Sequence, residues 1–131
     1  MTKVMVFGTF DIIHPGHLYL LTEAKKLGDF LTVVIARDQT VAEVKGKTAK
    51  HNEIVRLKNI SELQIADKVI LGNDGDKYQV IKEEKPDIIA LGYDQRAFVD
   101  KLDGVLDKKF TIIKIKPYKE KIYKSSKFRT V

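Results

Sequence analysis

The segment that most constrains this chain lies at its start. The run Val4-Met5-Val6-Phe7 leads into Gly8-Thr9-Phe10-Asp11-Ile12-Ile13-His14-Pro15-Gly16-His17, and Leu18, Leu20, Leu21, Ala24 and Leu27 then recur at helical spacing. Four consecutive apolar residues read as a strand buried on both faces, the kind that occupies the middle of a parallel sheet. The recurrence that follows reads as a helix opening near Gly16-His17. Between the two is a βα loop whose end should offer unpaired backbone N–H groups, and the positive end of a helix dipole, to an anion. His14 and His17 flank that point, with Gly16 between them removing bulk. One histidine there would read as a cap or a surface residue. Two around Pro-Gly, after a buried strand, suit a triphosphate.

The rest of the chain repeats the alternation. Residues 30–36, 68–71 and 87–91 are short apolar runs that read as strands, and 110–115 alternates in part, as an edge strand does. Residues 53–63 carry Ile54, Leu57, Ile60 and Leu63 at helical spacing, and 78–84 form a shorter helix stopped by Lys85-Pro86. Residues 39–50 are a loop or short helix holding Lys45, Lys47 and Lys50 around Gly46, and Gly28-Asp29 and residues 72–76 are turns. Strands alternating with helices at this pitch imply an α/β fold, a Rossmann-like, doubly wound parallel sheet of five strands with helices on both faces. Ligands of such sheets bind at the carboxyl ends of strands where the strand order reverses. That rule should bring residues 14–17 beside the loop 92–95, where Asp94 could accept hydrogen bonds from a ribose or base, or cap the next helix.

Composition narrows the chemistry. A length of 131 residues suits a single domain, 1–131, able to bury roughly two thirds of its unfolded surface without staples. The absence of cysteine excludes a disulfide framework, a thiolate zinc site and a cysteine nucleophile. No apolar run approaches membrane-spanning length and the first strand begins at once, so the expectation is a cytoplasmic protein without membrane contact. Net charge is +6, and between Lys108 and Arg129 nine basic residues face one acid, Glu120. A basic tail can meet nucleic acid, an anionic membrane or a phosphorylated small molecule, or it can simply solubilise. No aromatic interleaving or recognition helix accompanies it, so nucleic acid is not the expected partner.

The stretch Gly-Thr-Phe-Asp, two apolar residues, then His-Pro-Gly-His resembles the nucleotidyltransferase superfamily with the His-x-Gly-His signature, and more closely its cytidylyltransferase-like branch. Ala36-Arg37-Asp38-Gln39-Thr40, the Leu91-Gly92-Tyr93-Asp94-Gln95 loop and the tail from Tyr118 to Ser125-Ser126 look most like archaeal FAD synthases, which transfer AMP from ATP to FMN. The resemblance implies in-line attack of an acceptor phosphate on the α-phosphorus, with pyrophosphate leaving. It implies His14, His17 and Lys47 as catalytic residues, and Thr9, Phe10, His14, Pro15, Gly16, His17, Asp94, Tyr118, Ser125 and Ser126 around the nucleotide. Asp11, Lys45 and Arg56 would meet the acceptor, although Arg56 also reads as an ordinary helix-surface charge.

No protein metal site is expected; a divalent cation, Mg²⁺, would bridge the phosphates. Family members are often homodimers. Their second motif, Arg-Thr-x-Gly-x-Ser-Thr, is half kept: Ser125-Ser126 match its hydroxyls, Lys119 or Lys121 stands for its arginine, and its glycine is missing. The alternative within the family is a CTP-dependent glycerol-3-phosphate cytidylyltransferase. The alternative from another class is a non-catalytic nucleotide- or RNA-binding module, against which the intact histidine pair argues.

Overall fold

The computed structural model describes residues 1–73, 79–92 and 110–116. In chain order its elements are β1 (Lys3–Gly8), α1 (Pro15–Lys26), β2 (Phe30–Ile35), α2 (Asp38–Lys45), α3 (Glu53–Glu62), β3 (Lys68–Leu71), α4 (Gln79–Glu84), β4 (Ile88–Leu91) and β5 (Thr111–Lys114). The strands form one sheet in the order β3-β2-β1-β4-β5, every neighbouring pair parallel. This is the expected doubly wound arrangement, with β5 on an edge. The steps β1 to β2 and β2 to β3 run one way and the step from β3 to β4 runs back past β1, so the strand order reverses between β1 and β4. The carboxyl ends of those two strands, Gly8 and Leu91, open the crevice where such sheets bind ligands.

Right-handed crossovers decide which helices cover which face. Val4, Val6, Leu31, Val33, Ile35 and Ala90 point to one side and pack with Leu21 and Ala24 of α1 and Ile60 of α3. Met5, Val34, Ile89 and Leu91 point to the other and pack with Val80 and Ile81 of α4. Successive side chains of a strand face opposite ways, so a strand sandwiched by helices buries both sets, which is why β1 and β2 read as near-continuous apolar runs, with Thr32 the buried polar exception in β2.

The amino ends of the strands are pinned by a repeated device. Asp29, Asp67 and Asp87 each stand just before a strand and close a two-bond ring with one residue of the neighbouring chain segment. The carboxylates accept the N–H groups of Thr2, Leu31 and Lys3, each at 2.8 Å. The three aspartate N–H groups donate to the carbonyls of the same residues, at 2.8, 2.9 and 2.9 Å respectively. Asp87 is therefore a latch ahead of β4 rather than its first residue. Gly28 is bare for a related reason, since a Cβ there would lie 2.6 Å from the Thr2 carbonyl oxygen.

Candidate active site

The loop after β1 folds back on itself. Phe10 adopts a left-handed backbone, φ 52°, a conformation that costs a bulky residue on the order of 1–3 kcal/mol unless its surroundings enforce it. They do: its ring is 3% exposed and sits in the core with Leu21. The ring also lies over Gly8, where an added Cβ would stand 2.5 Å from it. The edge of Phe10 meets the ring of His17, centroids 5.2 Å apart at 75°, and His17 stacks on His14 at 3.9 Å and 20°. Gly8, Phe10, His17 and His14 thus form one packed series leading from the central strand to the crevice. Phe10 lies in the loop expected to meet the nucleotide, with its ring packed against that of His17.

The two histidines stand side by side at the start of α1. His14 is the N-cap: its backbone is extended and its Nδ1 accepts the N–H of Gly16 at 3.1 Å, with Pro15 at the first helical position. Accepting at Nδ1 places the proton of a neutral His14 on Nε2, where it can be donated outward. Nδ1 of His17 is buried, so Nε2 is also the edge that His17 can offer a ligand.

The helix end itself differs from the expectation. Pro15 has no N–H, Gly16 donates to the His14 ring, and His17 and Leu18 donate to the His14 carbonyl at 2.9 and 3.3 Å. The N–H groups of Gly16, His17 and Leu18 are engaged internally, and the imidazoles stand at the start of the helix, beside the positive end of its dipole.

A second set of residues fastens this loop to the neighbouring strand end. Arg56, in α3, is 0% exposed. Its guanidinium donates to the carbonyls of Thr9 (3.0 Å), Ala36 (2.8 Å) and His51 (2.9 Å) and to Asp38 Oδ1 (2.7 Å). All but one of its N–H groups are spent inside the protein. The expectation of an acceptor-contacting or surface arginine gives way to a brace tying the ends of β1 and β2 to α2 and to the segment before α3. Asp11 is employed likewise: its two oxygens accept the N–H groups of Lys50 (2.6 Å) and His51 (2.8 Å). Burial opposes ionisation of Asp11, but those two bonds and the nearby His51 and Arg56 charges outweigh it, holding its carboxyl below the ordinary carboxylate range. The Arg56 bond does the same for Asp38, against the opposing effect of burial. Glu53, at the start of α3, completes the network by accepting from the Asp38 N–H at 2.8 Å and pairing with Arg37 at 3.3 Å.

The lysine segment is a helix, α2, closed by Gly46 in the left-handed conformation, φ 71°. Lys45 is its last residue, and Lys47 and Lys50 are exposed just beyond it. Thr9, Pro15 and Gly16 lie in the loop as expected, Thr9 holding Arg56 through its carbonyl. Asp94, Tyr118, Ser125 and Ser126 lie outside the described residues. Sequence reasoning passed over His51, which joins the site because the Asp11 and Arg56 bonds bring its segment there. Its only signal was being the third of the chain's three histidines. Among the described residues, no three His, Asp or Glu side chains are grouped to hold a metal ion. No described helix is long and apolar enough to cross a membrane.

Comparison with known proteins gives this geometry its relatives. A family model described as cytidylyltransferase-like matches residues 5–131. A protein of Thermoplasma volcanium named FAD synthase is 45% identical over 132 residues, covering 98% of this chain and 92% of the relative. One of Archaeoglobus profundus with the same name is 45% identical over 129 residues, covering 96% and 82%. A solved structure from Thermoplasma volcanium, described as a lipopolysaccharide core biosynthesis protein, superposes with a TM-score of 0.81 at 46% identity, covering 90% of this chain and 98% of that one.

Proposed function

Because the chain belongs to the cytidylyltransferase-like family, we propose that it transfers AMP from ATP to the phosphate of FMN, giving FAD and pyrophosphate. A phosphate oxygen of FMN attacks the α-phosphorus in line, the new P–O bond forms, and the bond to the β-phosphate breaks with its electrons going to pyrophosphate. No protein nucleophile is required, since a phosphate monoester is already ionised; the protein positions two anions and offsets the charge that develops. The stacked pair at 3.9 Å supports this chemistry most directly. Nε2 of His14 and of His17 would donate to phosphate oxygens as they gain charge, each donor being typically worth on the order of a hundredfold in rate. Lys47, exposed past α2, would neutralise phosphate charge.

Mg²⁺ belongs to the same proposal as an ion that would arrive with the triphosphate and would supply charge neutralisation at its phosphoryl oxygens. A cytoplasmic homodimer is the setting we propose. The relatives named FAD synthase support FMN as the acceptor.

The test is pyrophosphate release with Mg²⁺ and either ATP or CTP, offering FMN, glycerol 3-phosphate, phosphocholine and phosphopantetheine separately. Release with ATP and FMN alone is expected, and addition of EDTA should stop it. Release with CTP and glycerol 3-phosphate would overturn the reading in favour of a cytidylyltransferase, and no release with any pair would favour a binding module. His17→Ala should keep the fold and cut turnover at least about a hundredfold; an unchanged rate removes His17 from the mechanism.

A further inference from the structure

Asp11 is the one acid of the histidine loop, and both of its oxygens are engaged by another part of the chain. They accept the N–H groups of Lys50 at 2.6 Å and His51 at 2.8 Å, two consecutive residues just ahead of Asn52, the N-cap of α3. Consecutive N–H groups beside a helix start make an anion site, and here its anion is the protein's own carboxylate. The site therefore serves as a fastening. On one side of it is Phe10, the residue before Asp11, with its left-handed backbone at φ 52°. The Phe10 ring is held by the core, and its edge meets His17 at 5.2 Å. With the ring fixed before the turn and the carboxylate fixed after it, the turn cannot relax, although a free bulky residue would leave that conformation. His14 follows three residues later, stacked on His17 at 3.9 Å. On the other side is the connection between α2 and α3, residues 46–52, which carries Lys47. Gly46 N–H closes α2 by donating to the Ala42 carbonyl at 2.9 Å, and among the described residues 47–49 find no hydrogen-bond partner. The connection is thus held at its ends, and Asp11 holds the far one together with the Arg56 bond to the His51 carbonyl.

We propose that Asp11 is a positioning residue for the transfer reaction: its two bonds hold the turn at Phe10, and through it the stacked imidazoles, in register with the lysine-bearing connection. The proposal rests on the reading of His14 and His17 as phosphate donors and of Lys47 as the neutralising cation. It replaces the acceptor contact expected of Asp11 with a role exercised through other residues. Both oxygens are already engaged, and a carboxylate would repel the dianionic phosphate of FMN.

The experiment compares wild type with Asp11→Asn and Asp11→Ala by thermal unfolding, by initial rates of FAD formation with ATP and FMN varied in turn, and by NMR of histidine-labelled protein. The chain has three histidines, so each imidazole can be followed. Arg56 still holds the Thr9 and His51 carbonyls in both variants, so both should stay folded at the assay temperature. Alanine should lower kcat at least about tenfold while KM for ATP and for FMN stays within about threefold, because a donor displaced by a fraction of an ångström loses rate rather than affinity. It should also shift the His14 and His17 signals, since each ring lies in the ring current of the other. Asparagine keeps one acceptor oxygen and should fall between alanine and wild type in both readouts; as neither variant carries the charge, that grading assigns the effect to geometry. If alanine unfolds, asparagine is judged by the same two readouts. An undiminished kcat in the folded variants overturns the proposal. So does a rise confined to KM for FMN, which would return Asp11 to the acceptor, or a fall in kcat with only the His51 signal moved. If wild type makes no FAD, the reading of the reaction fails, and the His14 and His17 signals still decide whether Asp11 sets the imidazoles.

Discussion

His14 performs two tasks that can be separated by substitution. As N-cap its Nδ1 holds Gly16, and as the proposed phosphate donor it uses Nε2. Asparagine is among the best N-caps but has no group where Nε2–H lies, so His14→Asn should keep stability within about 0.5 kcal/mol while lowering turnover about a hundredfold. His14→Ala loses both, and should also cost about 1 kcal/mol. Chemical denaturation alongside steady-state rates checks this; a large stability loss in the asparagine variant would show that stacking on His17, rather than capping, sets the ring's structural worth. Gly8 offers a second test. A methyl at position 8 would collide with the Phe10 ring, and that ring positions His17. Gly8→Ala should therefore lower kcat at least about tenfold even in the fraction that folds, because misplacing a donor by a fraction of an ångström is costly. An undiminished kcat would mean that Phe10 is filler.

Among the elements, α3 carries the largest debt to one residue. Arg56 satisfies three carbonyls and a carboxylate while fully buried. Lysine has fewer donors and no planar fork, so Arg56→Lys should destabilise by about 3 kcal/mol, leaving buried acceptors unpaired and loosening the Thr9 end of the histidine loop. Urea denaturation measures the first effect and a drop in kcat the second; a variant as stable as wild type would show that the brace is redundant. This residue also marks where reading the sequence stopped. Strand and helix identities were legible because apolar runs and helical spacing report burial directly: β3 was read at its observed bounds, and β1, α1 and β2 to within a few residues. The histidine pair was legible because two imidazoles at a βα junction have few other uses. The jobs of Arg56, Asp11, Glu53 and Asp87 were not, because a charged side chain that donates to or accepts from the backbone has no periodicity. A buried guanidinium on α3 looks, in one dimension, like an exposed one. Phe10 was placed in the right loop, but its packing against His17 was not legible, since nothing in its identity reports a positive φ.

Across the whole molecule the two ends of the sheet divide the work. The carboxyl ends hold the imidazoles and the Arg56 network; the amino ends hold the aspartate latches, and α1 spans from one to the other. Asp67 shows what the latches imply for pH. The Lys25 ammonium, and after it the Leu31 N–H, hold its carboxyl below the ordinary carboxylate range, against a smaller opposing effect of burial. A group whose folded pKa is depressed adds stability that is complete above its unfolded pKa and is lost as pH falls through the folded one. Asp67, Asp38 and Asp11 all shift this way, so the fold should lose stability as pH drops below about 4. The contribution of Asp67 is limited by solvent, since both partners are about one third exposed, and should stay below about 1 kcal/mol. Asp67→Asn can still accept from Leu31 N–H but cannot titrate. It should therefore show a slightly lower Tm at pH 7, a shallower loss of Tm between pH 5 and pH 3, and unchanged kcat and KM, because its latch lies at the end of the sheet away from the histidines. Thermal melts across that pH range with parallel rate measurements decide it. A variant with an acid limb as steep as wild type would locate the acid sensitivity in the Asp11 and Asp38 network instead, where stability and catalysis would fall together.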